Sequence, residues 1–380
     1  MRYRGLYKTT LIFTILFLAL FTACSTDEID AVLTDETDTV SMDNPDAIDE
    51  PEAETPESET PETPDSTTGA ISFEENFILN EERSFANFVL STAEYTKFIT
   101  GDGDLRLISN KVYEYLTDDF DYIIILSVES SQPDGLFFGR SSSISNTVAG
   151  LGGGTFDNTV SYGSDGRLKN IIYMPRVEYI RNGPFLHEIA HTWANKNFLP
   201  TTVGGHWGYA GVGGQLGGFD ELVNLGGNSY QGRLNDRDGF ATFANGGNAI
   251  PYGNLELYLM GLIGSDELEA VQVAVNPEQG SSFGQFTADA IETYTPQEML
   301  AANGARVPNH MNSQKEFRAL TVIISKAQLD AEKLETAHAY LDNFSRPAAP
   351  DDSWGTLNNF WLATGGRATF SFDVLPVYIK

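Results

Sequence analysis

The stretch FLHEIAHTWANKNFLPTTVGGHWG, residues 185–208, holds three of the five histidines in a chain of 380 residues. His187 and His191 are four apart, so on an α-helix their imidazoles stack on one face, one turn apart. Two rings so placed can grip one metal ion. Glu188 projects from an adjacent part of the helix and can reach a water on that ion without taking a coordination position, the logic of an H-E-x-x-H pattern. The reading requires a helix, and local signals predict one. Pro184 suits a first turn, Asn182 or Gly183 can cap it, and Pro200 limits its continuation past about Phe198. Phe185, Leu186, Ile189, Ala190 and Trp193 would bury its other faces.

Catalytic zinc usually takes three protein ligands and leaves one position for water. His206 is the candidate third ligand, because Pro200 turns the chain and Gly204 and Gly205 let it return. Asp220 and Glu221, in GGFDELVNLGG, compete as a carboxylate ligand from a later element. His206 also reads as a loop histidine packed on Trp207. The expected cofactor is one Zn2+ ion on His187, His191 and His206, with Glu188 as acid–base residue.

The N-terminus sets the compartment. Arg2, Arg4 and Lys8 precede the apolar run TTLIFTILFLALF, which is too short for a span and is followed at once by acids; residues 1–23 read as a signal peptide. Cys24 is the single cysteine, so no disulfide can form within the chain. Its place after Ala23 resembles the lipidation site of bacterial lipoproteins, although Phe21 departs from the usual Leu, Val or Ile; an ordinary secreted protein cut near TACS is the alternative. Residues 25–70 hold sixteen acids and no Lys or Arg, too little apolar surface to fold, so 24–70 reads as a disordered acidic tether. Its first acids, CSTDEID, resemble the surface-export signal of Bacteroidetes lipoproteins and equally fit the start of a solvated linker. The expected location is the bacterial envelope, lipid-anchored through Cys24 on the outer-membrane surface and facing outward.

Of the net charge of −30, the part beyond residue 70 keeps −17, which argues against nucleic acid and anionic membrane surfaces as partners. Residues 71–380 suit one large domain, with a possible C-terminal subdomain from about 265, and the chain is expected to be a monomer. An amphipathic helix with Leu107, Val112, Tyr115 and Leu116 precedes a buried strand, Asp121–Val128. GLFFGRSSSI and TFDNTVSYG read as strands or edges, and GRLKNIIYMP as a strand leading into the histidine helix. TPQEML starts a helix capped by Thr295, with Pro296 in its first position. FRALTVIIS reads as a strand, KAQLDAEKLETAHAYLDNF as a helix with His338 exposed, and GRATFSFDVL as a closing strand. NDRDGF reads as a hairpin with an Asp-Gly turn in preference to a calcium loop, and GLGGG lacks the context of a phosphate loop.

The series YGSDGRLKNIIYM, GPFLHEIAHTWAN, GGHWG, YGNLELYLMGL and FWLATGGRATF resembles a group of secreted bacterial zincin-like metallopeptidases across most of the chain past the tether. The resemblance implies an α+β fold: a mixed twisted β-sheet, an active-site helix carrying HEIAH and a C-terminal α/β subdomain. It implies a zinc hydrolase acting on protein or peptide substrates, held along a sheet edge as an added strand. LELYLMGL also resembles a metzincin Met-turn with Met260 beneath the metal, while the spacing to His206 and the presence of Ala194 depart from the metzincin pattern; an ordinary core methionine is the other reading. Tyr209, Tyr252, Tyr258 and His310 are candidates for oxyanion stabilisation, and no spacing rule separates them. Two further functions stay open: a surface binding or adhesion lipoprotein with a structural metal, and a zinc amidase acting on glycan or cell-wall peptide.

Overall fold

Long apolar runs become the buried middle of one sheet. From the N-terminal side come β1 (Ile71–Glu74), β2 (Phe77–Leu79), β3 (Phe85–Val89), β4 (Tyr122–Leu126), β5 (Arg140–Ser143), the short pair β6 (Ser145–Asn146) and β7 (Phe156–Asp157), and β8 (Asn170–Met174). The middle of the chain forms β9 (Glu221–Gly226), β10 (Ser229–Leu234), β11 (Arg237–Asp238), β12 (Val271–Val275), β13 (Glu278–Gln279), β14 (Gln285–Thr287) and β15 (Ala290–Tyr294); the C-terminal part adds β16 (Glu316–Ser325) and β17 (Thr369–Ser371). The helices are α1 (Thr92–Ile99), α2 (Leu105–Tyr115), α3 (Tyr179–Asn182), α4 (Phe185–Ala190), α5 (Asn254–Met260), α6 (Pro296–Asn303), α7 (Ala331–Ser345) and α8 (Phe360–Ala363). This computed structural model describes residues 69–380 except 195, 202, 247, 249 and 348–357, all within the compact unit Asp65–Lys380. The expected signal peptide, Cys24 and nearly all of the tether lie outside the described residues.

The chain is α+β with a mixed twisted sheet in the order β1-β2-β3-β16-β4-β8-β5. Strands β3, β16, β4 and β8 run parallel, β1, β2 and β3 form an antiparallel meander, and β5 lies antiparallel to β8 at the edge. Parallel strands need cover on both faces, and alternate residues here enter two cores. Ile123, Ile125, Ile171 and Val322 pack with α1 and α2 residues such as Phe98, Ile108 and Val112. Tyr122, Ile124, Ile172 and Ile323 pack with Phe185, Leu186 and Ile189 of α4, Leu255 of α5 and Phe344 of α7. A satellite core of Phe219, Phe240 and Phe286 lies under the sheet β11-β10-β14-β13, to which β9 is joined.

Most of the predicted strands and helices form, with differences that have local causes: of TFDNTVSYG only Phe156–Asp157 is a strand, and Thr159–Tyr162 is a 3-10 helix at whose start Asp157 Oδ1 accepts from the N–H and hydroxyl of Thr159. α4 ends at Ala190 and not near Phe198, because the chain tightens to Thr192 N–H→Ile189 O and Trp193 N–H→Ala190 O bonds. Pro184 precedes α4, and Asn182 closes α3 instead of capping α4. Leu107 is on the exposed side of α2, whose buried face is Leu105, Ile108 and Val112. The NDRDGF hairpin turns at Asn235 and Asp236, with φ of 51° and 61°, and not at Asp238-Gly239; both residue types tolerate the left-handed region that a type I′ turn demands. α6 has the expected Thr295 cap, with Thr295 Oγ1 accepting from Glu298 N–H and Thr295 N–H donating to the Glu298 carboxylate. His338 is half-buried, its Nδ1 3.0 Å from Ser84 Oγ.

Candidate metal centre

β8 ends at Met174, and the chain passes through α3 into α4, which buries every one of its six residues, His187 and Glu188 included. Pro184 offers α4 no side-chain cap; Asn248 Oδ1 accepts from Leu186 N–H at 2.9 Å from outside the helix. Tyr252 Oη donates to Leu186 O at 2.8 Å. The helix is thereby held at both the amide and the carbonyl of its second residue.

Among the described residues one group of candidate ligands converges: His187, His191 and His206, whose ligand atoms lie within 4.8 Å of one another. His187 Nε2 is 3.1 Å from His191 Nε2 and 3.3 Å from His206 Nε2. Nitrogens bound at about 2.0–2.1 Å to a tetrahedral ion stand about 3.3 Å apart, so these spacings fit two edges of that tetrahedron. The outer nitrogens set the tautomers. His187 Nδ1–H donates to Gln215 O and His206 Nδ1–H to Gly204 O, each at 2.9 Å, leaving both Nε2 lone pairs for the centre.

Burial pushes His187 down to about 4, against the Gln215 hydrogen bond and with the charge of His206. Burial, then the charges of His187, His206 and Lys196, hold His191 well below the ordinary range, and burial also lowers His206. All three rings are therefore neutral at pH 7, the form that binds a metal. The trio could hold a metal ion.

Glu188 is 5 % exposed and lies under the sheet edge, where a Cβ on Gly139 would stand 2.5 Å from its Oε1. Burial pushes its carboxyl up to about 8, against the backbone N–H of Ser141 in β5; a cation in the trio would favour the ionised form. Phe243, 59 % exposed, sits edge-on to His206 with ring centroids 5.1 Å apart. Beside the same loop a cavity of about 860 Å³ is lined by Phe198, Leu199, Gly204, Gly205, Tyr294 and Met299, among others.

The remaining candidates lie elsewhere. Glu221 starts β9, exposed, with its carboxylate 3.4 Å from Arg233 Nη1, and is outside the trio. Asp220 accepts from Asn235 N–H. Tyr209 packs on Phe240 and Phe286. Tyr258 Oη accepts from Arg306 N–H. His310 lies beside Gly264. Met260 ends α5 in the core that also contains Ile189 and Ala190, and Arg306 donates to Leu259 O and Met260 O.

Residue types in the sequence gave no sign of Gln215, whose main-chain oxygen does the work, or of Gly139, whose missing side chain makes room. Comparison with known families, characterised proteins and solved structures finds no match to this chain.

Proposed function

We propose that the protein is a zinc-dependent endopeptidase, carried on the cell surface as a lipoprotein through Cys24. The observation that carries the reading is the convergence of His191 Nε2 and His206 Nε2 on His187 Nε2, at 3.1 and 3.3 Å, with the outer nitrogens of His187 and His206 committed to carbonyls. Three neutral imidazoles with a fourth position open suit catalytic zinc. A buried carboxylate following the first ligand separates this from a purely structural site, which needs no such group. The free edge of β5, above Glu188, suits an extended chain added as a further strand.

Bound at the trio, zinc supplies Lewis acidity, making water nucleophilic near neutrality and polarising a carbonyl. His187, His191 and His206 hold the geometry. Glu188 takes the proton released by the attacking water onto a carboxylate oxygen and delivers it to the leaving amine. Its burial keeps that oxygen away from bulk water, and β5 orients the substrate backbone.

The test is a cleavage profile of proteome-derived peptides with the zinc-loaded full chain and with Glu188→Gln. Wild type should cleave, and the variant should keep its zinc while losing about 10²- to 10⁴-fold in rate. Zinc-loaded wild type that cleaves no peptide would overturn the peptidase reading in favour of a binding scaffold or of an amidase acting on glycan-linked peptide. Full activity in Glu188→Gln would overturn the role of Glu188.

A further inference from the structure

We propose that Glu256 is a positioning residue of the metal centre, acting on His187 through the peptide group that joins Gln215 to Leu216. The proposal rests on the reading of the histidine trio as a metal site.

Glu256, on α5, is fully buried. Its Oε1 accepts from Trp207 Nε1–H and Leu216 N–H, and its Oε2 from Gln215 N–H and Gly253 N–H, all at 2.9 Å. Four N–H donors surround the two oxygens, so a proton on the carboxyl would face a donor; the arrangement suits the carboxylate. Burial raises its pKa, and the same four hydrogen bonds oppose that rise.

Two of these bonds have a geometric consequence. Leu216 N–H and Gln215 C=O belong to one peptide group. Its N–H points at Glu256 and its oxygen accepts from His187 Nδ1–H at 2.9 Å. Carboxylate, peptide and imidazole therefore form one chain of hydrogen bonds. The negative end polarises the peptide and strengthens the carbonyl as an acceptor. That fixes the His187 tautomer and makes Nε2 a better donor to a cation, the service that a carboxylate usually gives a metal-bound histidine directly. A second arm reaches the third ligand, since Trp207, whose indole also bonds to Glu256, is the residue after His206. The close approach depends on Gly214, where a Cβ would lie 2.1 Å from Glu256 Oε2. Gln215 is secured further by its own side chain, which donates to Ile250 O.

A carboxylate buried only to support the fold would leave metal binding unchanged once folding is accounted for. Asp121 provides that comparison: it is fully buried, 3.1 Å from Arg167 and 2.9 Å from Lys169, immediately before β4 of the main sheet.

The experiment measures zinc affinity by chelator competition, thermal unfolding, and histidine ring ¹⁵N NMR on the full chain as wild type, Glu256→Gln, Gly214→Ala and Asp121→Asn. In Glu256→Gln an amide NH₂ must face one of the two donor pairs. Wild type without metal should carry the His187 proton on Nδ1. Glu256→Gln and Gly214→Ala should weaken zinc binding by about 10- to 100-fold and move the His187 Nδ1 signal. Asp121→Asn should lower the unfolding temperature and leave zinc affinity alone.

A folded Glu256→Gln that binds zinc like wild type with an unmoved Nδ1 signal would overturn the proposal, as would equal weakening in Asp121→Asn. If Glu256→Gln does not fold, Gly214→Ala decides by the same criteria. A wild-type His187 protonated on Nε2 overturns it outright. Wild type that binds no zinc refutes the metal site itself, and the NMR arm still decides the relay.

Discussion

Replacing Gly139 by alanine should impair hydrolysis without touching a metal ligand. A Cβ there would stand 2.5 Å from Glu188 Oε1, 2.7 Å from its Cγ and 2.8 Å from its Cδ. Carbon atoms in contact prefer about 3.5–4.0 Å, so the side chain must retreat by about 1 Å. Rotating the carboxyl alone does not relieve the contact, because Cγ is involved, and a side chain 5 % exposed has little space to move into. The backbone is no obstacle, since Gly139 is not among the glycines with positive φ. A displacement of about 1 Å of a catalytic group costs on the order of 10²-fold in rate. With a peptide that wild type cleaves, Gly139→Ala should show a loss of about that size in kcat with stoichiometric zinc, together with a lowered unfolding temperature from the overpacked contact. Wild-type kcat in a zinc-loaded Gly139→Ala would refute the placement of Glu188 as the proton carrier under β5.

His206→Ala should fold and lose most of its zinc affinity, read by metal analysis after dialysis, whereas Glu221→Ala should keep it; the reverse pattern would make Glu221 the third ligand. The Glu298 carboxylate is held below the ordinary range by the Thr295 N–H and hydroxyl. A lowered acid contributes stability above its unfolded pKa of about 4.3 and loses it as pH falls through the folded value. The stability difference between wild type and Glu298→Gln in urea titrations should therefore be present in full at neutral pH, begin to shrink near pH 4.3 and be gone once the pH is below the lowered folded value; a difference that grew on acidification would contradict the cap.

Much of this was legible. The runs YIIIL and NIIYM had to be strands covered on both faces, and the Thr295-Pro296 start of α6 carried its own signature. The four-residue spacing of His187 and His191 and the glycines before His206 pointed to the trio the structure brings together. Side-chain chemistry writes itself into sequence, whereas a main-chain acceptor does not. Gln215 works through its oxygen, Gly139 and Gly214 through absent atoms, and none has a residue-type signature. Glu256 does have one, as the single acid within the apolar run LELYLMGL. The length of α4 was set by tight turn bonds beyond Ala190, which periodicity does not register.

The position of β16 bears on the order in which the molecule can come into being. Residues 316–325 occupy the middle of the sheet, with β3 on one side and β4 on the other. The histidine helix leans on the same late part of the chain: Trp193 packs on Phe317 at 5.2 Å and Phe185 on Phe344 at 4.5 Å between ring centroids. Until Glu316–Ser325 joins, β3 and β4 are two bare edges with no strand to span them, and α4 lacks much of its support. A nascent chain that has not yet supplied these residues would therefore carry every residue of the trio and hold no formed centre. Such long-range pairing folds slowly, so the histidine trio would be among the last features of the molecule to form.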